Sequence, residues 1–264
     1  MSTFQPSVMA GGSMAPTIAA AVIGVCMALT AHAAQPSSAQ AAASDWGVLV
    51  FSRTAGYRHD SIAAGVAAVV SLGEQHAFRV DATEAAAAFT DQSLGRYRVV
   101  MFLNTTGNVL DASQQAAFER FIRRGGGFVG VHSASDTEYD WPWYGRLVGA
   151  YFKSHPRIQP AILKVVDASH PSTVHLPAEW KRTDEWYNFR HDSAPHGRAL
   201  LVIDETSYSG GTMRTHHPMA WCQEYDGGRA WYTALGHTIE TYGEPLFLEH
   251  LLGGIRWAAG IAAD

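Results

Sequence analysis

The chain has 264 residues, of which 47% are hydrophobic and 16% charged, with 25 Gly and 11 Pro. That length holds one large domain or two small ones, and the composition excludes a disordered, collagenous or coiled-coil chain. The net charge is −5 and only Lys153, Lys164 and Lys181 are lysines, which argues against the clustered basic footprint of a nucleic-acid binder. Two Cys residues cannot form a disulfide framework, while the 13 His residues form an excess. Such an excess points to proton transfer, metal binding or a simple choice of basic residue, so each His is weighed where it stands.

The first 44 residues contain no Asp, Glu, Lys or Arg. The apolar run Ile18 to Leu29, followed by Ala31-His32-Ala33, reads as a secretory signal over residues 1–33 with cleavage after Ala33. The n-region carries no Lys or Arg, only the α-amino group. The run is too short and too Ala-rich for a membrane span. Cys26 follows Val25, not the small residue of a lipidation site. Residues 34–44 read as a flexible linker, and 45–264 as one domain in an extracytoplasmic location, with Cys222 as the remaining thiol.

From Asp45 onward, apolar strand-like runs alternate with helical patterns. Trp46 to Ser52 is a buried-strand run. Ile62 to Leu72 is a helix ending at Gly73 as C-cap. Phe78 to Val80 and Tyr97 to Leu103 are the next strands. Asp111 is the N-cap of a helix carrying Phe118, Phe121 and Ile122 on one face. Gly125-Gly126-Gly127 is a turn before the strand Phe128 to Val131. Continuous β-branched runs separated by helices predict a parallel sheet covered on both faces, built from right-handed βαβ units. After Gly149 come the strand-like runs Ile158 to Val166, Trp180 to Phe189 and Ala199 to Ile203. Pro218 to Trp221 and Arg229 to Leu235 follow, joined by the turn Asp226-Gly227-Gly228. Pro245 to Ala259 is a final helix. The expectation is one α/β domain whose second half adds strands to the first.

Ligands of open α/β sheets bind beyond the carboxyl ends of the strands, so the residues there are the candidates. After the first strand stand Tyr57, Arg58, His59 and Asp60. His59-Asp60 reads either as a helix start or as a ligand. After the third stands Asn104-Thr105-Thr106, either a turn or a site. After the fourth come His132, Ser133, Ser135 and Asp136, and Gly130-x-His132-x-Ala134 resembles the strand-to-helix turn where α/β enzymes place a nucleophile. His217 precedes the Pro218 strand, and His237 follows Gly236. His76, His170, His175, His196 and His250 read as structural or solvated. In Asp184-Glu185-Trp186-Tyr187-Asn188-Phe189, two acids abut three aromatics. A carboxylate against such rings has a raised pKa, as a general acid needs, and aromatics beside polar groups suit sugar rings. The alternative is an ordinary strand with solvated acids. Asp140-Trp141-Pro142-Trp143-Tyr144 lines a sugar site or staples a helix. No Gly-x-Ser-x-Gly elbow, P-loop or His-Glu-x-x-His motif is present.

Five blocks in order carry a resemblance to the ThuA-like (trehalose utilisation) family: Gly56 to Ile62, Gly125 to His132, Asp184 to Phe189, His217 to Trp221 and Tyr232 to His237. The resemblance covers about Trp46 to Gly260. It implies a flavodoxin-like fold similar to class I glutamine amidotransferases: a mostly parallel sheet with added antiparallel strands and helices on both faces. The position of their nucleophilic Cys matches His132, and that of their catalytic His matches His237, so the resemblance does not extend to thioester chemistry. It implies a carbohydrate ligand, in particular a 3-keto-glycoside, with a sugar dehydrogenase as functional partner. Under this reading His132 or His237 is the base and Glu185 the acid. Arg58 and Asn104 hold hydroxyls, and His59, Asp136, Tyr187 and His217 complete the substrate site. A divalent metal on His132, His217 and His237 would polarise the ketone instead. The alternative is a non-catalytic carbohydrate-binding domain.

Overall fold

The computed structural model describes residues 46–190, 197–214 and 216–261. The expected signal and linker, Cys26 and His196 lie outside them. In chain order the elements are β1 (Gly47–Phe51), α1 (Ile62–Gln75), β2 (Arg79–Thr83), α2 (Asp91–Leu94), β3 (Val99–Leu103), α3 (Ala112–Arg123), β4 (Gly127–Val131) and α4 (Pro142–Val148). Then come β5 (Phe152–Ser154), β6 (Gln159–Val165), β7 (Glu179–Asp184), β8 (Asn188–Phe189), β9 (Arg198–Ile203), β10 (Pro218–Tyr225), β11 (Gly228–Thr233) and α5 (Pro245–Ala258).

Nine strands form one sheet in the order β2-β1-β3-β4-β11-β10-β9-β6-β7. The five from β2 to β11 run parallel, and the rest join antiparallel. This is the flavodoxin-like α/β arrangement with antiparallel strands added on one side. β1, β3 and β4 are buried at every position, as runs covered on both faces must be. β7 alternates exposed and buried residues because one of its faces meets solvent. Phe102 of β3 stacks on Phe118 of α3 at 5.5 Å and lies 5.4 Å from Tyr144 of α4, so one aromatic cluster joins the sheet to two helices. Trp141 and Trp143 belong to that cluster and staple α4. The Asp111 side chain accepts from the Ser113 and Gln114 amides, and the Gln114 side chain accepts in turn from the Asp111 amide, closing a capping box on α3.

Some boundaries differ from those expected. α1 runs past Gly73 to Gln75, and Gly73 is buried against Phe78, where a Cβ would come 2.7 Å from the Phe78 carbonyl. It is a close-approach glycine rather than a cap. The run from Trp180 to Phe189 breaks at Glu185–Tyr187, and β8 leaves the main sheet to pair with β5. No helix among the described residues is long and apolar enough to cross a membrane. Cys222 is buried in β10, and burial pushes its thiol up to about 11.

Two of the His residues read as structural or solvated are buried. His250 of α5 reaches the Ser172 carbonyl at 2.7 Å and the Thr233 hydroxyl at 3.2 Å. His170 bonds the Ser172 hydroxyl at 2.8 Å. Burial lowers His250 to about 3 and His170 to about 4. Both are neutral in the fold, while the unfolded chain protonates them below about 6.5. The unfolded state therefore binds more protons between these values, and stability falls as pH drops from about 6.5 towards 4. Thermal unfolding between pH 7 and pH 4.5 should show this slope, flattened in a His250→Gln variant; an unchanged slope would assign the acid sensitivity to other groups.

Candidate active site

The strand order reverses between β2-β1 and β3-β4, and the loops leaving the carboxyl ends of β1 and β3 part there. The loop after β1 delivers His59, nearly buried, just before α1. The turn after β3 holds Asn104 at φ 51°. Its amide donates to the Ser61 hydroxyl at 2.9 Å and to the Gly236 carbonyl at 3.2 Å. Asn104 thus ties three strand-end loops together from below.

His132 is the first residue after β4 and has φ 50°, a left-handed conformation that costs a non-glycine residue of order 1 kcal/mol or more. The Tyr232 hydroxyl donates to the His132 carbonyl at 2.7 Å, and His132 Nδ1 donates to the Ala234 carbonyl at 2.8 Å. This second bond fixes the tautomer and aims Nε2 inward. The chain continues from His132 to Asp136 as a 3-10 turn rather than the helix expected there.

His237 follows β11 behind Gly236, whose φ of 108° allows a turn with no Cβ against the Tyr242 hydroxyl. The loop is held by Asp184 at the end of β7. Its carboxylate accepts from the Gly236 amide at 3.0 Å, the His237 amide at 3.1 Å and the Glu185 amide at 3.0 Å. The next residue, Glu185, is thereby aimed at the imidazoles. His132 Nε2 lies 3.1 Å from His237 Nδ1 and 3.5 Å from Glu185 Oε2, and Glu185 Oε2 lies 3.1 Å from His237 Nδ1. The rings of His59, His132 and His237 form a near-equilateral triangle, with centroids 4.9, 5.0 and 5.0 Å apart and steeply crossed planes.

Above this cluster lies a cavity of about 380 Å³ lined by Tyr57, His59, Asp136, Phe152, His155, Glu185, Tyr187 and His237. A second cavity of about 210 Å³ shares Tyr57, His59 and His237 with the first and continues to Thr238 and Ile239. Tyr57 is 65% exposed and stands between them. A larger groove of about 630 Å³ runs between α1 and α5, away from the imidazole triangle.

The electrostatics correct one expectation. Glu185 does not have a raised pKa. Burial pushes it up, but hydrogen bonds from His132 and His237 outweigh burial and hold it well below the usual carboxylate range. It is an ionised acceptor, not a general acid. Burial opposes charge on His237, and the bond to Glu185 overcomes it, so His237 is raised. Burial, with His132 and His237 alongside, lowers His59 to about 3. Burial raises Asp136, which accepts from the Tyr139 hydroxyl.

The structure brings together His59, His132, Glu185 and His237, with Asp136 and Tyr187 in the cavity wall. His132 lies behind the cavity lining, against His59, Glu185, Tyr187 and His237. Arg58 is outside: its guanidinium makes an exposed pair with Glu84 at 2.7 Å. Asn104 is beneath the site, bonded to backbone and Ser61. His217 is not in the triangle, so a metal on His132, His217 and His237 does not fit. Its Nδ1 is 2.8 Å from Glu205 and its Nε2 donates to the Tyr187 carbonyl at 2.7 Å. Its place is to hold Tyr187, whose ring lies 4.2 Å from that of His132. The four residues that surround one point are His59, His132, Glu185 and His237. The sequence reading missed His155 and Phe152, which come from β5 and the loop after it. β5 belongs to the separate two-stranded sheet, so the rule of parallel strand ends does not reach it. His155 Nδ1 lies 2.9 Å from Glu185 Oε1.

The fold is shared with solved structures. A ThuA-like protein from Bacteroides uniformis superposes with a TM-score of 0.70 at 22% identity, covering 82% of this chain and 92% of that one. A ThuA-like protein from Parabacteroides merdae gives 0.68 at 21% identity, over 83% and 92%. A β-galactosidase from Bacillus circulans gives 0.55 at 14% identity, over 83% of this chain and 32% of that one. At such identities the likeness is one of fold alone. No curated protein matches the sequence significantly. The family profile described as trehalose utilisation matches residues 47–258, nearly all of the α/β domain, and the chain therefore belongs to the ThuA family.

Proposed function

We propose that this protein cleaves the glycosidic bond of disaccharide-like substrates whose sugar ring carries a ketone beside the C–H next to the anomeric carbon. The carbohydrate part of the reading is supported by membership of a trehalose-utilisation family. The observation that carries the catalytic part is the triangle of His59, His132 and His237 with Glu185, on the floor of a cavity walled by Tyr57, Phe152 and Tyr187. Aromatic walls suffice to hold a sugar, and three imidazoles with a buried carboxylate are more than holding needs.

The ketone acidifies the adjacent C–H. His155, 43% exposed and oriented by Glu185 through Nδ1, keeps Nε2 as its basic nitrogen and takes that proton. The electron pair moves into the C–C bond, the glycosidic C–O bond breaks, and His155 returns its proton to the leaving oxygen. His237 borders the cavity where negative charge develops on the ketone oxygen. Addition of water across the new double bond completes hydrolysis. The paired cavities on either side of Tyr57, His59 and His237 fit a substrate of two rings. A sugar dehydrogenase that oxidises one hydroxyl would supply the ketone.

Purified protein incubated with a 3-keto-disaccharide should release the free second sugar and leave the unoxidised disaccharide intact. His155→Ala should lower the rate by about 10²–10⁴. Binding of either sugar without product by the wild type would overturn this reading in favour of a carbohydrate-binding domain.

A further inference from the structure

We propose that His59, His132, His237 and Glu185 bind one divalent first-row transition-metal ion through three imidazole nitrogens and one carboxylate oxygen. The inference deepens the function proposed above and rests on the same cavity being the active site.

The geometry argues for it directly. At metal–nitrogen distances of about 2.0–2.1 Å, neighbouring ligands of a tetrahedral ion lie about 3.4 Å apart, and cis ligands of an octahedral one about 3 Å. His132 Nε2, His237 Nδ1 and Glu185 Oε2 are separated by 3.1, 3.1 and 3.5 Å. All four candidate ligand atoms, including that of His59, lie within 4.8 Å of one another.

Proton bookkeeping points the same way. Because His132 Nδ1 donates to the Ala234 carbonyl, Nε2 of the neutral ring presents a lone pair. Glu185 Oε2 presents others. A proton on His237 Nδ1 is shared between these two acceptors. A divalent cation satisfies all of them at once.

The support around the ligands is of the kind metal sites use. The Ala234 carbonyl fixes the His132 tautomer. Asp184 fixes the His237 and Glu185 backbones. Ser133 Oγ lies 3.4 Å from His59 Nδ1. The strained φ of His132 aims its ring at the centre of the group.

The donor set selects the ion class. Three imidazoles and one carboxylate suit Mn, Fe, Co, Ni, Cu or Zn rather than Mg or Ca, which take oxygen donors. On a six-coordinate ion four protein ligands leave two positions, where a ketone and an adjacent hydroxyl of the sugar would bind. The ligand class is thus a vicinal keto-alcohol, recognised by chelation as well as by stacking.

The test is elemental analysis of the full chain purified without chelators or a histidine tag, followed by titration of chelator-stripped protein with Co²⁺ and Zn²⁺, without sugar. The expected result is about one equivalent of a first-row metal. Stripped protein should take up Co²⁺ and give visible d–d bands, with a rise in Tm. Glu185→Gln and His237→Ala, whose side chains border the cavity, should bind at least about 100-fold more weakly, since even supporting shells are worth 10–100-fold. His217→Gln, a buried imidazole outside the group, should bind as the wild type does. A folded wild type that takes up neither ion at micromolar concentration would overturn the proposal, and so would undiminished binding in the Glu185 and His237 variants. Because these readouts need no substrate, stoichiometric metal without turnover of a keto-disaccharide would overturn the reaction proposed above and support the metal site.

Discussion

An Asp184→Ala variant should lose about 3–5 kcal/mol of stability, the range for removing one partner of a buried ion pair. The side chains of Asp184 and Arg182 are both buried, with Arg182 Nη2 3.2 Å from Asp184 Oδ2. Among the described residues Arg182 Nε and Nη1 have no hydrogen-bond partner, so the guanidinium depends on contacts through Nη2, to Asp184, Thr241 and more distantly Glu244, and on the faces of Trp180 and Phe247. Removing the carboxylate leaves a buried cation with little compensation. It also leaves the Gly236 and His237 amides without their acceptor, and each such orphan costs roughly 1–3 kcal/mol. Thermal unfolding should show a fall of about 6–20 °C at about 2–4 °C per kcal/mol. Asp184 is also a positioning residue. In Asp184→Asn the side chain keeps its shape and one acceptor, so folded protein should be recovered with kcat lowered and KM nearly unchanged. A loss below about 1 kcal/mol in the alanine variant would mean that the Gly236–His237 loop is held by other contacts.

Truncating His237 should leave the fold in place and remove the activity. Its side chain is 17% exposed, and its ring contacts are with His132, Glu185 and the neighbouring His59 ring. Its backbone is anchored separately by Asp184, so the loop should not move. The ring borders the cavity at the point where the ketone oxygen would lie. Loss of such a group is worth about 10²–10⁴ in rate. For His237→Ala, kcat/KM on a keto-disaccharide should fall by that amount while Tm changes little. A variant that keeps more than a tenth of the wild-type rate would remove His237 from the reaction and leave it as a wall of the cavity.

Part of this architecture is written in the sequence alone. The runs Val48 to Phe51, Val99 to Leu103 and Phe128 to Val131 are apolar or glycine at every position, and only a strand covered on both faces needs that. Asp111 with Gln114 closes a capping box from residues three apart, which is local information. The candidates His59, His132 and His237 are visible for the same reason: each directly follows or lies close behind a parallel strand, and parallel strands end together at one edge. Glu185 stood out by its aromatic neighbours, but the direction of its pKa did not. That direction depends on two imidazoles contributed from residues 132 and 237, and the spacing along the chain does not report their 3.1–3.5 Å approach.

Tertiary structure decided the rest. Arg58 and His217 have the right chemistry and stand in the right motifs, yet one pairs with Glu84 at the surface and the other with Glu205 beneath Tyr187. His155 joins the site from just beyond a strand that lies outside the main sheet. Asp184 becomes the anchor of the His237 loop because the edge strand β7 ends beside the loop after β11, a meeting that local periodicity does not encode. Sequence specifies which residues are able to act. The curl of the sheet and the paths of the loops between distant strands determine which of them share one point in space.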